Sequence, residues 1–303
     1  MLLVAFWVVL ATAVGVACEQ RTDWARGAAQ RALTLMLYVL VPFVSYVSFA
    51  HLRLSLGAGV GLALAYVGLG LAGAGMWWLG RRLGLDGPRL GALIVAVMLV
   101  NTGYLGYPMT VALLGAHALP HAVAYDQVVS SPILFTAGFG VGAAFGSGER
   151  LSIASRARNF VFKNPPLIGA VAGLLVPQSW APKPLVTASN VVVDALLVVG
   201  FFAVGVILSA ERREDHARLL ELPDRDVVAA LSMRFLVNPS LLGLASLAGV
   251  GIPTAYLLQA LMPTGITSLI VGHAYGLDQR LIATTIVWST LAVLVVGTVI
   301  YLI

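Results

Sequence analysis

The chain has 303 residues, 59% of them apolar and 10% charged, with a formal net charge of +5 and a mean hydropathy of +0.94. A soluble domain carries about 25% charged residues, so a water-coated globule is excluded; no alternating ten-residue strands of a barrel occur, and the long apolar runs make this an all-α polytopic membrane protein. The basic residues sit in short loops between those runs, which argues against nucleic acid, and Cys18, the only cysteine, leaves no internal disulfide and no Cys-based metal site.

A bilayer is crossed by about 20 apolar residues. On that length ten spans are expected, at 1–18, 32–50, 55–79, 89–117, 119–146, 165–181, 185–210, 226–250, 254–276 and 279–302. The first has the length of a signal peptide but lacks a basic n-region and a small-x-small cleavage site, and is read as a retained span. The third, "GAGVGLALAYVGLGLAGAG", holds Gly57-x-x-x-Gly61, which suits close helix packing or a dimer face. It is no phosphate loop, having neither strand nor lysine beside it.

The fourth span contains "VNTGYLGYP" (Val100–Pro108), a poor helix former in the middle of an apolar run. The ninth contains "LMPTGITS", with Pro263 and Gly265 near mid-span. Proline removes an amide donor and clashes with the preceding turn. Broken backbone at membrane depth survives only where protein or a wet cavity covers it.

Ionisable residues within spans are expensive and therefore functional candidates. Asp126 lies roughly 10 Å into span five and shares a helix face with Ser130. Asp194 lies roughly 14 Å into span seven and Arg234 roughly 12 Å into span eight. Asp126 is a candidate for proton or cation coupling, Asp194 for coupling or an interhelix bond. Arg234 could snorkel, pair with Asp194 or touch substrate. His117 and His273 fall near helix ends and read as interfacial. No metal-ligand set, cofactor motif or ATP-binding motif is present, so no metal or cofactor is expected and transport energy would come from a gradient or exchange.

Fifteen Lys and Arg residues fall in the loops after odd-numbered spans; those after even-numbered spans hold Arg53 and Lys183 alone. That bias puts both termini on the non-cytoplasmic side. "YPMTVALLGAH" is similar to "MPTGITSLIVGH", and "DQVVSSPILF" to "TIVWSTLAVL". The pairs fall in spans four and nine, then five and ten. The chain thus reads as a five-span repeat (1–148), a cytoplasmic linker (149–163) and a second repeat (164–303). Five is odd, so the halves are inverted, the plan of secondary transporters.

Two breaks at equivalent places should meet near the midplane. The half-helices after Pro108 and Pro263 would aim their N-termini, each about +0.5 of a charge, at the crossing and favour an anion. The carbonyl ends of the preceding halves could hold a cation. The expected substrate-binding set is Asn101, Thr102, Gly103, Tyr104, Pro108, Met262, Pro263, Thr264, Thr267 and Ser268. Asp126, Asp194, Arg234, Ser130 and Ser289 are the expected coupling or charge-pair set.

These stretches carry a family resemblance. "NTGYLGYP" resembles the Asn-Thr/Cys-Gly-Phe/Tyr-x-Gly-x-Pro signature of the auxin efflux carrier family. "FKNPPLIGAVAGLL" is similar to the Asn-Pro-Leu start of that family's sixth span. "ALMPTGITSLIVGHAYGLDQRLIATTIVWSTLAVL" is similar to its Met-Pro-Thr ninth span and the Ser-Thr of its tenth, and Pro42 matches its second-span proline. The resemblance implies a ten-helix fold like that of the bile-acid/sodium symporters. It further implies crossing broken helices four and nine, elevator-type alternating access, a homodimer in the membrane lipid, and often an acid at the place of Asp194. Family substrates include auxin in plants and dicarboxylates such as malate or malonate in bacteria. The plant Asn-Pro-Asn-Thr-Tyr-like elements and long central loop are absent, so a small organic anion suits a prokaryotic inner-membrane carrier better than auxin.

Three rivals stand beside this carrier. A sodium-coupled symporter of the bile-acid type would need acids beside the ninth-span break, where Gln259 alone is near. An intramembrane aspartyl protease would need a Gly-x-Gly-Asp, which is missing; no enzyme is expected. A non-transporting receptor on the same fold would show no counterflow.

Overall fold

A bilayer offers no water to backbone amides and carbonyls, so an apolar chain closes its hydrogen bonds within helices. The structure, a computed structural model, describes residues 2–53, 55–146, 164–215 and 222–302. The linker 149–163 and Arg150, Arg156, Arg158, Lys163 and Arg218 lie outside them. Among the described residues the chain is helical apart from short connections and one isolated β-bridge.

In chain order the helices are α1 (Leu2–Arg21), α2 (Trp24–Ala50), α3 (Leu56–Arg82), α4 (Gly87–Met98), α5 (102–114), α6 (Ala116–Phe145), α7 (Pro165–Leu175), α8 (Lys183–Asp215), α9 (Arg225–Leu247), α10 (Thr254–Ala260), α11 (Thr267–Tyr275) and α12 (Gln279–Leu302). Among the described residues seven helices, α1, α2, α3, α6, α8, α9 and α12, are long and apolar enough to cross a membrane. The expected fourth and ninth spans are instead the pairs α4/α5 and α10/α11. The expected sixth is α7, whose 11 residues reach about 16 Å, short of the ~30 Å hydrocarbon core. Val176 and Pro177 leave helical geometry there, and a single turn follows at Gln178–Trp180.

Prolines shape the long helices without ending them. Wide turns at Met36–Leu40, Thr102–Gly106 and Asp126–Ser130 each stop two residues before a proline, Pro42, Pro108 and Pro132. A proline ring strikes the carbonyl four residues back, and widening the turn relieves that clash. For Pro132 the displaced carbonyl is that of Val128, and the Tyr66 hydroxyl of α3 donates to it. A fourth wide turn, Leu134–Gly138, has no proline after it.

Small residues set the packing. α1 lies on α8, where a Cβ on Gly205 would overlap the Thr12 carbonyl. Gly57 faces the Gly251 backbone and Gly61 the Tyr256 ring, so the Gly57-x-x-x-Gly61 face is used inside the molecule. α4 is buried at every position from Leu90 to Val97, enclosed by α3, α9, α12 and the end of α6. Many of the apolar residues that remain exposed stud the faces of α1, α2, α3, α7, α9 and α12.

Candidate functional site

In an unbroken helix each carbonyl accepts from the amide four residues on. α4 stops at Met98 before α5, and α10 stops at Ala260 before α11, so the carbonyls at these ends need other donors. The two interruptions supply one another. Asn101 N donates to Pro263 O at 2.8 Å and Gly265 N to Leu99 O at 2.8 Å, around an antiparallel bridge of Val100 with Thr264. Thr264 Oγ1 donates to Ala96 O at 2.8 Å, and the Thr264 amide to Ser289 Oγ of α12 at 3.1 Å.

Those diversions deprive Val97 O and Ala260 O of the amides of Asn101 and Thr264. Arg234 of α9 replaces them. Its Nη1 donates to Val97 O and its Nη2 to Ala260 O, both at 3.3 Å, while Nε and Nη2 reach Met262 O at 3.1 and 2.5 Å. Arg234 is 1% exposed. A guanidinium placed at the carbonyl ends of two helices meets the negative poles of both dipoles. It neither snorkels nor pairs with Asp194, which stands exposed on another face of α8.

The opposite, positive ends are the starts of α5 and α11. Asn101 caps α5: its Oδ1 accepts from Leu105 N at 3.3 Å and its carbonyl from Gly106 N at 3.1 Å. Among the described residues no acceptor meets the amides of Thr102, Gly103 and Tyr104, or those of Ile266 and Thr267. All five residues line one cavity of about 350 Å³, within the range of small-molecule sites. α2 contributes Leu33, Thr34 and Leu37 to its wall, α6 contributes Asp126, Gln127 and Ser130, and Asn164 and Pro166 close it at the start of α7.

Among the described residues Asp126 is the only acid on that wall, and no Lys, Arg or His joins it. Thr102 Oγ1 donates to its Oδ1. Tyr107 Oη and Gln127 Nε2 donate to its Oδ2 at 2.5 and 2.9 Å. Ser130 Oγ, Gln127 Oε1 and Asn164 Nδ2 are buried with no partner among the described residues.

The expected residues therefore divide. Asn101, Thr102, Gly103, Tyr104, Thr267, Asp126 and Ser130 share the cavity. Pro108, Met262, Pro263, Thr264, Ser268, Ser289, Asp194 and Arg234 do not line it. Pro108 sits inside α5 rather than at the interruption, because the chain leaves the helix at Leu99–Asn101. Met262, Pro263, Thr264 and Ser289 serve the backbone of the two interruptions, and Ser268 is buried behind Thr267. His117 and His273 are exposed at helix ends. Sequence reasoning missed Gln127, Ser131 and Asn164 as cavity residues; the Asn-Pro before α7 was a signal for the last.

Residues 151–301 match the family model described as membrane transport protein. An uncharacterized transporter of Methanocaldococcus jannaschii is 28% identical over 225 residues, which cover 70% of this chain and 68% of that protein. An uncharacterized transporter of Methanothermobacter thermautotrophicus is 26% identical over 228 residues, 71% of this chain and 68% of that protein. The interrupted helix pairs lie in the stretches that carry the family signatures, and these matches make the chain similar to multi-pass membrane transport proteins, consistent with the auxin efflux carrier family.

Proposed function

We propose that the protein is a secondary transporter of a small organic anion, a carboxylate, working by elevator-type alternating access. One observation carries the reading. Five unclaimed amides at two helix starts open on a single cavity, while Arg234 fills the carbonyl ends of the partner helices. The positive poles are left for a ligand, and oriented amides at a helix start favour an anion.

The packing supports a moving and a fixed part. α1, α2, α7 and α8 pack on one another, and α3, α4, α9, α10 and α12 pack on one another. The cavity lies where α2 and α7 meet α5, α6 and α11, the seam along which one group would slide. The contacts also recur in exchanged order: α1 lies on α8 as α7 lies on α2, and α4 on α12 as α10 on α6. Such exchange supports ten spans arranged as inverted repeats over residues 1–148 and 164–303.

The cavity reaches from the interruptions toward the beginnings of α2 and α7. By the Lys and Arg bias that end is cytoplasmic, which makes this an inward-open arrangement with both termini outside the inner membrane. A homodimer would cover Asp194, whose charge lipid cannot solvate.

Uptake into proteoliposomes tests the function. A panel of acetate, lactate, malonate, succinate and malate should include at least one solute that shows saturable counterflow and raises the melting temperature. Asn101→Ala, which uncaps α5 at the cavity wall, should abolish both effects. Absence of counterflow for every member, or unchanged ligand shifts in the variant, contradicts the reading.

A further inference from the structure

We infer that the transported anion is accompanied by a proton, carried on Oδ1 of Asp126; this rests on the anion-carrier reading above. Among the described residues the cavity wall holds one carboxylic acid and no Lys, Arg or His. An anion seated at the five amides would share one small cavity with that carboxylate, and like charges so placed disfavour each other's ionised form. Neutralising Asp126 removes the conflict, and a proton is the smallest neutraliser.

The hydrogen bonds around Asp126 are suited to both states. Oδ2 accepts from two donors, Tyr107 Oη and Gln127 Nε2. Oδ1 meets a single hydroxyl, that of Thr102. A threonine hydroxyl is donor and acceptor alike and rotates to suit. With the acid ionised it donates to Oδ1; when Oδ1 takes a proton, the new O–H donates to Thr102 Oγ1 and the threonine hydrogen swings away. No bond to Oδ2 changes. Thr102 starts α5, so the proton-bearing Oδ1 on α6 is bonded to the residue that opens one of the two anion-holding helix starts.

The other titratable groups facing Asp126 are phenols. Tyr104 and Tyr107 come from α5, and Tyr66 from α3 donates to the Val128 carbonyl on the same wide turn. α2, α7 and α11 present only neutral side chains to the cavity. Arg234 is committed to three carbonyls. No second acid or base among the described residues of that wall competes for the proton.

The test uses proteoliposomes loaded with a pH-sensitive dye and the same panel of carboxylates, first under exchange and then with an inward proton gradient. For each solute that exchanges, net uptake should acidify the lumen and rise at least tenfold with the gradient. Asp126→Asn should lose that stimulation, and Thr102→Val should weaken it severalfold, while Thr102→Ser should restore it. If no carboxylate exchanges, the carrier reading fails and this inference with it. If wild-type protein exchanges a carboxylate but net uptake neither moves protons nor responds to the gradient, the inference alone is overturned, whatever the variants do. Gradient stimulation that survives in Asp126→Asn also overturns it.

Discussion

Replacing Arg234 by methionine separates a structural cap from a substrate contact. Methionine fills much of the volume but donates nothing, so the carbonyls of Val97, Ala260 and Met262 lose their donor together. The amides that an unbroken helix would offer to Val97 and Ala260 are committed elsewhere, to Pro263 O and Ser289 Oγ. Each buried carbonyl left unpaired costs about 1–3 kcal/mol, so the three together cost about 3–9 kcal/mol. Against a total stability of about 5–15 kcal/mol that is a large share. At about 2–4 °C per kcal/mol for a chain of a few hundred residues, even the low end lowers the Tm by about 6–12 °C. Arg234→Lys keeps the charge but loses the planar fork, and should fall between wild type and Arg234→Met. The assay is thermal unfolding in detergent, with and without the carboxylate that exchanges in proteoliposomes. A Tm for Arg234→Met within about 2 °C of wild type would refute the capping account. So would an Arg234→Lys protein that melts normally yet shows no carboxylate shift, since that pattern belongs to a substrate contact.

A Cβ built on Gly103 meets nothing within 4 Å, and Gly103 lines the cavity. Gly103→Val should therefore change stability by less than about 1 kcal/mol while removing the carboxylate-induced rise in Tm. Thr264→Val deletes the donor to Ala96 O and should destabilise by about 1–3 kcal/mol, seen as a lower Tm. Ser289→Ala leaves the Thr264 amide unserved and should lower Tm by a similar amount. A normal Tm in both variants would mean that the interruptions are not held as described.

The positions of the glycine and proline breaks, the odd charges within apolar runs and the bias of Lys and Arg are one-dimensional facts. They were enough to give the membrane class, the family resemblance and the two stretches where helix gives way. The exact interruption was not legible. Pro108 looked like the break, yet the wide turn Thr102–Gly106 absorbs it, and the chain leaves the helix at Leu99–Asn101. The difference arises because a proline clash can be relieved by one extra residue in the turn, whereas the interruption is fixed by what the opposite strand of backbone offers.

Amino-acid order alone thus determined that this chain lives in lipid, where its helices weaken, and that Asp126 and Arg234 stand in apolar surroundings. Tertiary structure decided what those two charges do. Arg234 became a cap because two carbonyl ends from segments far apart in sequence, α4 and α10, meet beside α9. Asp126 became a cavity acid, with no second acid among the described residues of the wall, because α2, α5, α6, α7 and α11 converge around it. Partner identity sets the role of a buried charge, since low dielectric makes each neighbouring dipole count. Neighbours drawn from distant segments are visible only once the chain has folded.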